Sequence, residues 1–564
     1  MRRKKWYASV LAVSMAASLL SGCGNAGKEP EANGSDGASV KEEALKSGET
    51  SEEVSESEET PEEVPDEEPE VFKLTVHTSP SQGDWNDYWI IRHIEELFHV
   101  DIQVEMVSED IWNDKVPLMF ATEELPDFFL SSLAEADITA YGKEGYLLDQ
   151  NPYISEEKTP NIWKAMEEAP ALRAAVTELD GEIYGLNGAD MGDAGRAKNR
   201  FYINYQWAEQ ILGKQPETLE EFYEYLKGVK ERDMNGNGDA TDEIPLGGCY
   251  GDSETIHIFP PILSAFGYTS REIEVKDGKV LYVPAEENYQ HFLEFMHTLY
   301  AEGLLDNEYF SQSSDQADAK DTNYLYGACG SYASWVRQPD ETIWRQYDIM
   351  EPLTSEYNDV KMAPAQDLNK VGNFVVTKKC QNPEKLMQIV DWCFSVDGCM
   401  AISNGFEKGT VEGQEEYGYT CNWVDEKTVE VKVDYDEEKW DDLLSWRLAE
   451  VMPNWGYFPL YSNLNKVEDN EAQAYLEEGL RNHSVPYYHV GWPSSVKLSP
   501  EEADEIALIY TDIVSYTNEM VTKMINGEIS TNEFATFQDG LKDRKLERMM
   551  EIYQTAYDRW SANQ

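Results

Sequence analysis

Between Gly24 and Glu70 the chain carries 17 acidic against 3 basic side chains among Ser, Gly and Pro, with almost no aliphatic residue. Such a segment cannot bury enough apolar surface to offset the entropy of ordering it, so it predicts a disordered, self-repelling tether and not part of a fold. The folded body then runs from Val71 to Gln564. Upstream, Arg2, Arg3, Lys4 and Lys5 lead into thirteen apolar or small residues, Ala8 to Leu20. A basic start and a short apolar run describe an export signal; crossing a hydrocarbon core as a helix takes about twenty residues. The organisation expected is a signal over 1–22, a tether over 23–70 and a body over 71–564.

The signal ends in Leu20-Ser21-Gly22-Cys23, which resembles a bacterial lipobox. That implies cleavage before Cys23 and acylation of its thiol by palmitate-like chains, so Cys23 is an anchor and not a nucleophile. Each buried methylene contributes ~0.8 kcal/mol, so two or more chains hold a protein on a membrane where one barely does. The expected location is the extracellular face of the cell membrane. The remaining cysteines, Cys249, Cys329, Cys380, Cys393, Cys399 and Cys421, contain no Cys-x-x-Cys pair. At this length a disulfide framework is unnecessary, and free thiols are expected.

Of the net charge of −62, the body holds about −52. So large an excess excludes nucleic acid and polyanionic ligands, which need clustered Lys and Arg. Neutral or cationic solutes remain. A body of about 490 residues exceeds one ordinary core, so two domains are expected.

Val71 to His77 alternates as a strand, Trp85 to Phe98 places Ile90, Ile91, Ile94, Leu97 and Phe98 at helical spacing, and Ile102 to Val107 is strand-like again. Strand, helix and strand in that order predict a parallel pair. An amphipathic stretch, Asp110 to Ala121, then leads through Pro126-Asp127 into Phe128-Phe129-Leu130, so an open α/β domain is being built.

The order of short motifs, Phe120 to Asp127, Gly145 to Asp149, Asp180 to Leu186, Tyr202 to Tyr205, Pro216 to Phe222, Asn382 to Leu386 and the stretches from Tyr516 to Glu528 and Tyr553 to Tyr557, resembles the family 1 extracellular solute-binding proteins of bacterial ABC importers. The likeness is to the large lipoprotein branch for oligosaccharides. It implies an α/β, periplasmic-binding-protein-like fold of two discontinuous lobes around a hinged cleft: one of about 71–189 plus a returning middle segment, the other of about 200–320 plus later segments. It also implies a monomer that captures a carbohydrate and docks on ABC permease subunits. Periodicity leaves open which lobe the helices within 501–563 join.

Asp233-Met234-Asn235-Gly236-Asn237-Gly238-Asp239 sets oxygen side chains at loop positions one, three and five and Gly at six, the way a chain wraps a hard cation such as calcium. Position twelve, where a helix-loop-helix hand has Glu, is Ile244. The family resemblance implies a structural calcium held by Asp233, Asn235, Asn237, Asp242 and Glu243 and by the backbone carbonyl of Asp239, with one residue inserted between Gly238 and Asp242. The alternative is an Asn/Gly-rich turn that needs no metal.

A sugar offers C–H faces to stack on and hydroxyls to pair with, so aromatics in turns are the binding candidates. Asp84 and Trp85 follow the first strand, where α/β ligand crevices open. Tyr332 and Trp335 occupy the segment where the family places cleft residues, with Arg337 as a hydroxyl clamp; Trp455, Tyr457 and Trp492 complete the set. Packing is as good an account of any single member. No Gly-x-Ser-x-Gly elbow, His-Glu-x-x-His or phosphate loop is present, so no catalytic residue is expected and binding without chemistry is the reading. The alternatives are a peptide receptor, a ligand-sensing partner of a membrane kinase and a surface glycan hydrolase.

Overall fold

In the first strand, Glu70–Thr78, Phe72, Leu74 and Val76 face the core as the alternation predicts, yet Thr75 is buried too. A strand covered on both faces belongs inside a sheet, and Glu70–Thr78 is indeed flanked by Val100–Ser108 and Phe128–Leu130, both parallel to it. The computed structural model describes residues 68–78, 82–253, 256–336, 338, 340–440, 443–453, 455–468 and 471–562. The expected signal, Cys23, the tether up to residue 67 and Arg337 lie outside the described residues, as does the side chain of Trp455.

Lobe one is built on a six-stranded sheet in the order Tyr461–Ser462, Leu186–Asp190, Asn369–Val376, Phe128–Leu130, Glu70–Thr78, Val100–Ser108. Only Asn369–Val376 runs against its neighbours. The helix Trp89–Phe98 buries Ile90, Ile91 and Ile94 on this sheet, whereas Leu97 is exposed. The helix Glu109–Thr122 buries Val116, Met119 and Phe120 and leaves Ile111 and Leu118 in solvent.

Lobe two is built on four strands, Tyr347–Ile349, Phe201–Asn204, Tyr326–Gly330 and Ile244–Leu246 in that order. The helix Leu219–Lys230 starts where Thr218 caps it by accepting the Glu221 N–H, and it packs Phe222, Tyr225 and Leu226 under the sheet. The three terminal helices, Pro500–Ile525, Phe534–Asp543 and Leu546–Ser561, join the same core: Ile513, Phe537 and Met549 share one cluster with Phe201 and Phe222. They therefore belong to lobe two.

The chain passes from lobe one to lobe two between Asp190 and Phe201 and returns between Ile349 and Asn369. These crossings are paired with each other: Ala197 bridges Ala365, and the Lys198 N–H donates to the Pro364 carbonyl at 3.1 Å. Ala363–Ala365 also runs parallel to Tyr488–Val490, a segment that comes after the chain has crossed again, and Ser494 then donates its N–H and hydroxyl to Asp367. A narrow ribbon of this kind joins two large cores through few bonds, which is how a hinge is made.

Among the described residues no cysteine forms a disulfide; Cys249, Cys329, Cys393 and Cys399 are buried and Cys421 is exposed.

Candidate functional site

The parallel strands of lobe one end together, and the chain after Thr78 turns into the short helix Trp85–Asp87. Asp84 caps it, accepting from Asn86 N at 3.0 Å and Asn86 Nδ2 at 2.8 Å, and stays exposed. Trp85 is fully buried, its Nε1 donating to Gln82 Oε1 at 3.1 Å and its ring meeting Tyr457 edge-on at 5.1 Å and stacking on Phe458 at 6.4 Å. Sheet order thus brings together two aromatics that are far apart in sequence. Trp85 is the backing of this wall, and half-buried Tyr457 stands in front of it.

Two members of the wall were missed from sequence. His77, the last residue but one of the first strand, has its ring 5.4 Å from Tyr457 and 5.6 Å from Trp112, and its Nε2 lies 3.4 Å from the Tyr457 hydroxyl. Its position at the carboxyl end of a parallel strand was the available signal; Trp112, inside an amphipathic helix, gave none. Burial lowers the His77 pKa, opposed by Glu109, so the ring is held neutral. Burial likewise raises the Tyr457 hydroxyl. The His77 Nδ1 is buried with no protein partner. Rings and neutral hydrogen-bonding groups suit an uncharged, hydroxyl-rich ligand.

In lobe two, the strand Tyr326–Gly330 ends at the loop carrying Tyr332 and Trp335. Arg200 pins that loop by donating to the Tyr332 carbonyl at 2.7 Å, with a second nitrogen on the Ala194 carbonyl in the first crossing. The Tyr332 hydroxyl lies 3.1 Å from Ser253 Oγ. Trp335 packs edge-on against Trp344 at 6.0 Å. Trp492 is partly buried and lies against Tyr553 and Tyr557 of the last helix, at 5.6 and 6.3 Å.

The cation-type loop joins Leu219–Lys230 to Ile244–Leu246. Gly236 and Gly238 have φ of +74° and +93°, values that favour glycine. Their N–H groups donate to the two carboxylate oxygens of Asp233 at 2.8 and 2.9 Å. Asn235 and Asn237 both contact Asp242, at 3.4 and 2.6 Å, and Glu243 accepts the N–H groups of Met234 and Asn235 at 2.5 and 3.1 Å. Of the expected ligands, Asn235 and Asn237 thus reach Asp242, while Asp233 and Glu243 accept backbone N–H groups of the same loop. Asp239 turns its carboxylate to Thr241 N and Oγ1, at 3.0 and 2.6 Å. Glu243 is buried and its Oε2 has no protein partner. Among the described residues no three His, Cys, Asp or Glu side chains converge as metal donors, so any ion held here would also need the Asn amides and backbone carbonyls.

Two α/β lobes on a hinge ribbon, with aromatics where the first sheet ends, give this chain the fold of the extracellular solute-binding proteins. Over 540 residues, 88% of this chain and 91% of the other, it is 23% identical to the fructooligosaccharide ABC transporter substrate-binding protein FusA of Streptococcus pneumoniae. It is 27% identical over 222 residues to the lipoprotein LipO of Bacillus subtilis, covering 39% of this chain and 41% of LipO. Among solved structures, an HMO-binding, ABC-transporter-associated solute-binding protein from Bifidobacterium longum infantis superposes with a TM-score of 0.70 at 18% identity, covering 88% of this chain and 99% of that one. FusA in complex with kestose gives 0.66 at 23% identity, covering 88% and 100%. An EF-hand mutant of FusA with fructo-nystose gives 0.66 at 22%. No family model matches the chain.

Proposed function

We propose that this protein is a lipid-anchored extracellular receptor that captures a neutral oligosaccharide between its lobes and hands it, intact, to ABC permease subunits. The observation that carries the reading is the lobe-one wall, where Tyr457 and His77 stand at the end of the parallel sheet with Trp85 behind them. A pyranose or furanose ring stacks its C–H face on an aromatic and pairs its hydroxyls with neutral donors and acceptors. The loop with Tyr332, pinned by Arg200, is the proposed contribution of lobe two. The hinge ribbon gives closure a place to occur, and the closed form is favoured only by the solute's greater affinity for it. The body's negative charge disfavours acidic sugars. The similarity to FusA along nearly the whole chain supports the same class of solute.

Cys23 is the proposed site of lipidation. Calcium is the proposed ion of the loop, on Asp233, Asn235, Asn237, Asp242, Glu243 and the Asp239 carbonyl; the orphan Glu243 Oε2 supports the fit. There it would cross-link the loop to the end of Leu219–Lys230 and stiffen lobe two.

Thermal-shift screening of the mature protein against neutral oligosaccharides, kestose among them, acidic oligosaccharides and peptides tests the proposal, because a ligand of the folded state raises the melting temperature with its concentration. Neutral oligosaccharides are expected to give the shift; peptides alone doing so would overturn it.

A further inference from the structure

Behind the Tyr332–Trp335 loop lies a small chamber of about 10 Å³ lined by Tyr202, Asp321, Cys329, Ser331, Ser334, Gln338 and Tyr347. Every lining group carries a polar atom, although all are buried. Three of those atoms have no protein partner: Tyr202 Oη, Ser334 Oγ and Gln338 Oε1. Leaving one buried hydroxyl or amide oxygen unpaired costs roughly 1–3 kcal/mol, and three such atoms sit on residues lining this one space.

The rim of the loop is well held. Ser331 N donates to the Arg200 carbonyl at 3.1 Å, Ser331 Oγ to the Ala333 carbonyl at 3.0 Å, and Val336 N to the Ala333 carbonyl at 3.2 Å. Its inner side rests on the chamber through Ser334 and Gln338, the amide nitrogen of Gln338 donating to the Asp321 carbonyl. The opposite wall is Tyr202, in the rigid strand Phe201–Asn204.

We propose that the chamber is a binding site for ordered water, which joins Tyr202 Oη to Ser334 Oγ and Gln338 Oε1, and that Tyr202 is thereby a positioning residue for the loop presenting Tyr332. A water with three polar partners satisfies all three groups at once, and the site is polar and, at about 10 Å³, just large enough for one. The chamber's effect on solute affinity rests on the function proposed above; its hydration does not.

Tyr202→Phe tests it, because that substitution removes an atom with no protein partner and keeps the ring. If the chamber is dry, losing an unpaired buried hydroxyl leaves the melting temperature unchanged or raises it. If water bridges it, the melting temperature falls by about 1–3 °C, and Ser334→Ala does the same without adding to it in the double variant. A high-resolution crystal structure of the wild type should then place water within hydrogen-bonding distance of all three atoms. For the oligosaccharide giving the largest thermal shift, the affinity of Tyr202→Phe should fall roughly three- to tenfold as the loop loosens. A melting temperature unchanged or raised in Tyr202→Phe overturns the site, as does a dry chamber or contacts of metal-ion length in the map. A lowered melting temperature with unchanged affinity keeps the water and removes the positioning role.

Discussion

Lys497 Nζ meets Glu178 Oε1 at 3.0 Å, and the pair ties the segment entering the long carboxyl-terminal helix to lobe one. Leu498, next in the chain, packs on the lobe-two core. Glu178 also accepts from Thr139 Oγ1 at 3.1 Å, while the Lys497 carbonyl accepts from Arg559 at 2.8 Å. With side chains 22% and 13% exposed, the pair is less screened than a surface ion pair. Lys497→Met should lower stability by about 1–3 kcal/mol, because it leaves a mostly buried carboxylate without its counter-charge. Denaturant unfolding reads the loss, and scattering should record a larger radius of gyration for the solute-free variant. A variant with wild-type stability and dimensions would remove the pair from the account of lobe posture.

Trp85 and Tyr457 touch, yet they should respond differently. Trp85→Ala empties a fully buried site and should cost about 3–5 kcal/mol of stability. Tyr457→Ala removes a half-buried ring and should weaken oligosaccharide binding about tenfold or more with a smaller stability loss, while Tyr457→Phe tests the hydroxyl facing His77. Calorimetric titration beside a melting curve separates the two.

Acid should destabilise the protein before its carboxylates titrate. Burial lowers the pKa of His77 and His93, and burial with the neighbouring Arg271 guanidinium pushes that of His257 well down. Each imidazole then takes a proton more readily in the unfolded chain, where its pKa is about 6.5. The unfolded state binds more protons as pH drops through that value, so stability is complete above about pH 6.5 and is lost progressively below it. Melting temperatures between pH 8 and pH 5 check this, and His257→Gln should flatten the slope. A rise in stability toward pH 5 would contradict it.

Chelation should act on lobe two. If the Asp233 loop holds calcium, chelator or Asp233→Ala lowers the melting temperature more than it lowers solute affinity. A variant that melts normally yet fails to bind would place the loop in the solute site instead.

The strand–helix–strand start of lobe one was legible because Phe72, Leu74 and Val76 alternate and Ile90, Ile91 and Ile94 recur at helical spacing, and both patterns are local. The exposure of Leu97, Ile111 and Leu118 was not, since a stripe's width is fixed by the surface it meets. The terminal helices show the same limit: periodicity did not tell that Ile513 and Met549 would join the same core as Phe201. The turn at Asp233 was readable because Gly236 and Gly238, both at positive φ, lie in one contiguous stretch. The pairing of Trp85 with Tyr457, and the part played by His77, depend on sheet order and on a returning segment, which no local pattern encodes. That Trp492 would pack against Tyr553 and Tyr557 was not legible either, because a Gly-Trp-Pro turn carries no record of them.

The central claim is that two lobes close on an intact sugar. Small-angle scattering of the mature protein, with and without a saturating amount of the neutral oligosaccharide that most raises its melting temperature, tests it directly. The account predicts a smaller radius of gyration with sugar present and an unchanged sugar recovered afterwards. Identical scattering in the two states, or recovery of cleaved sugar, would contradict it.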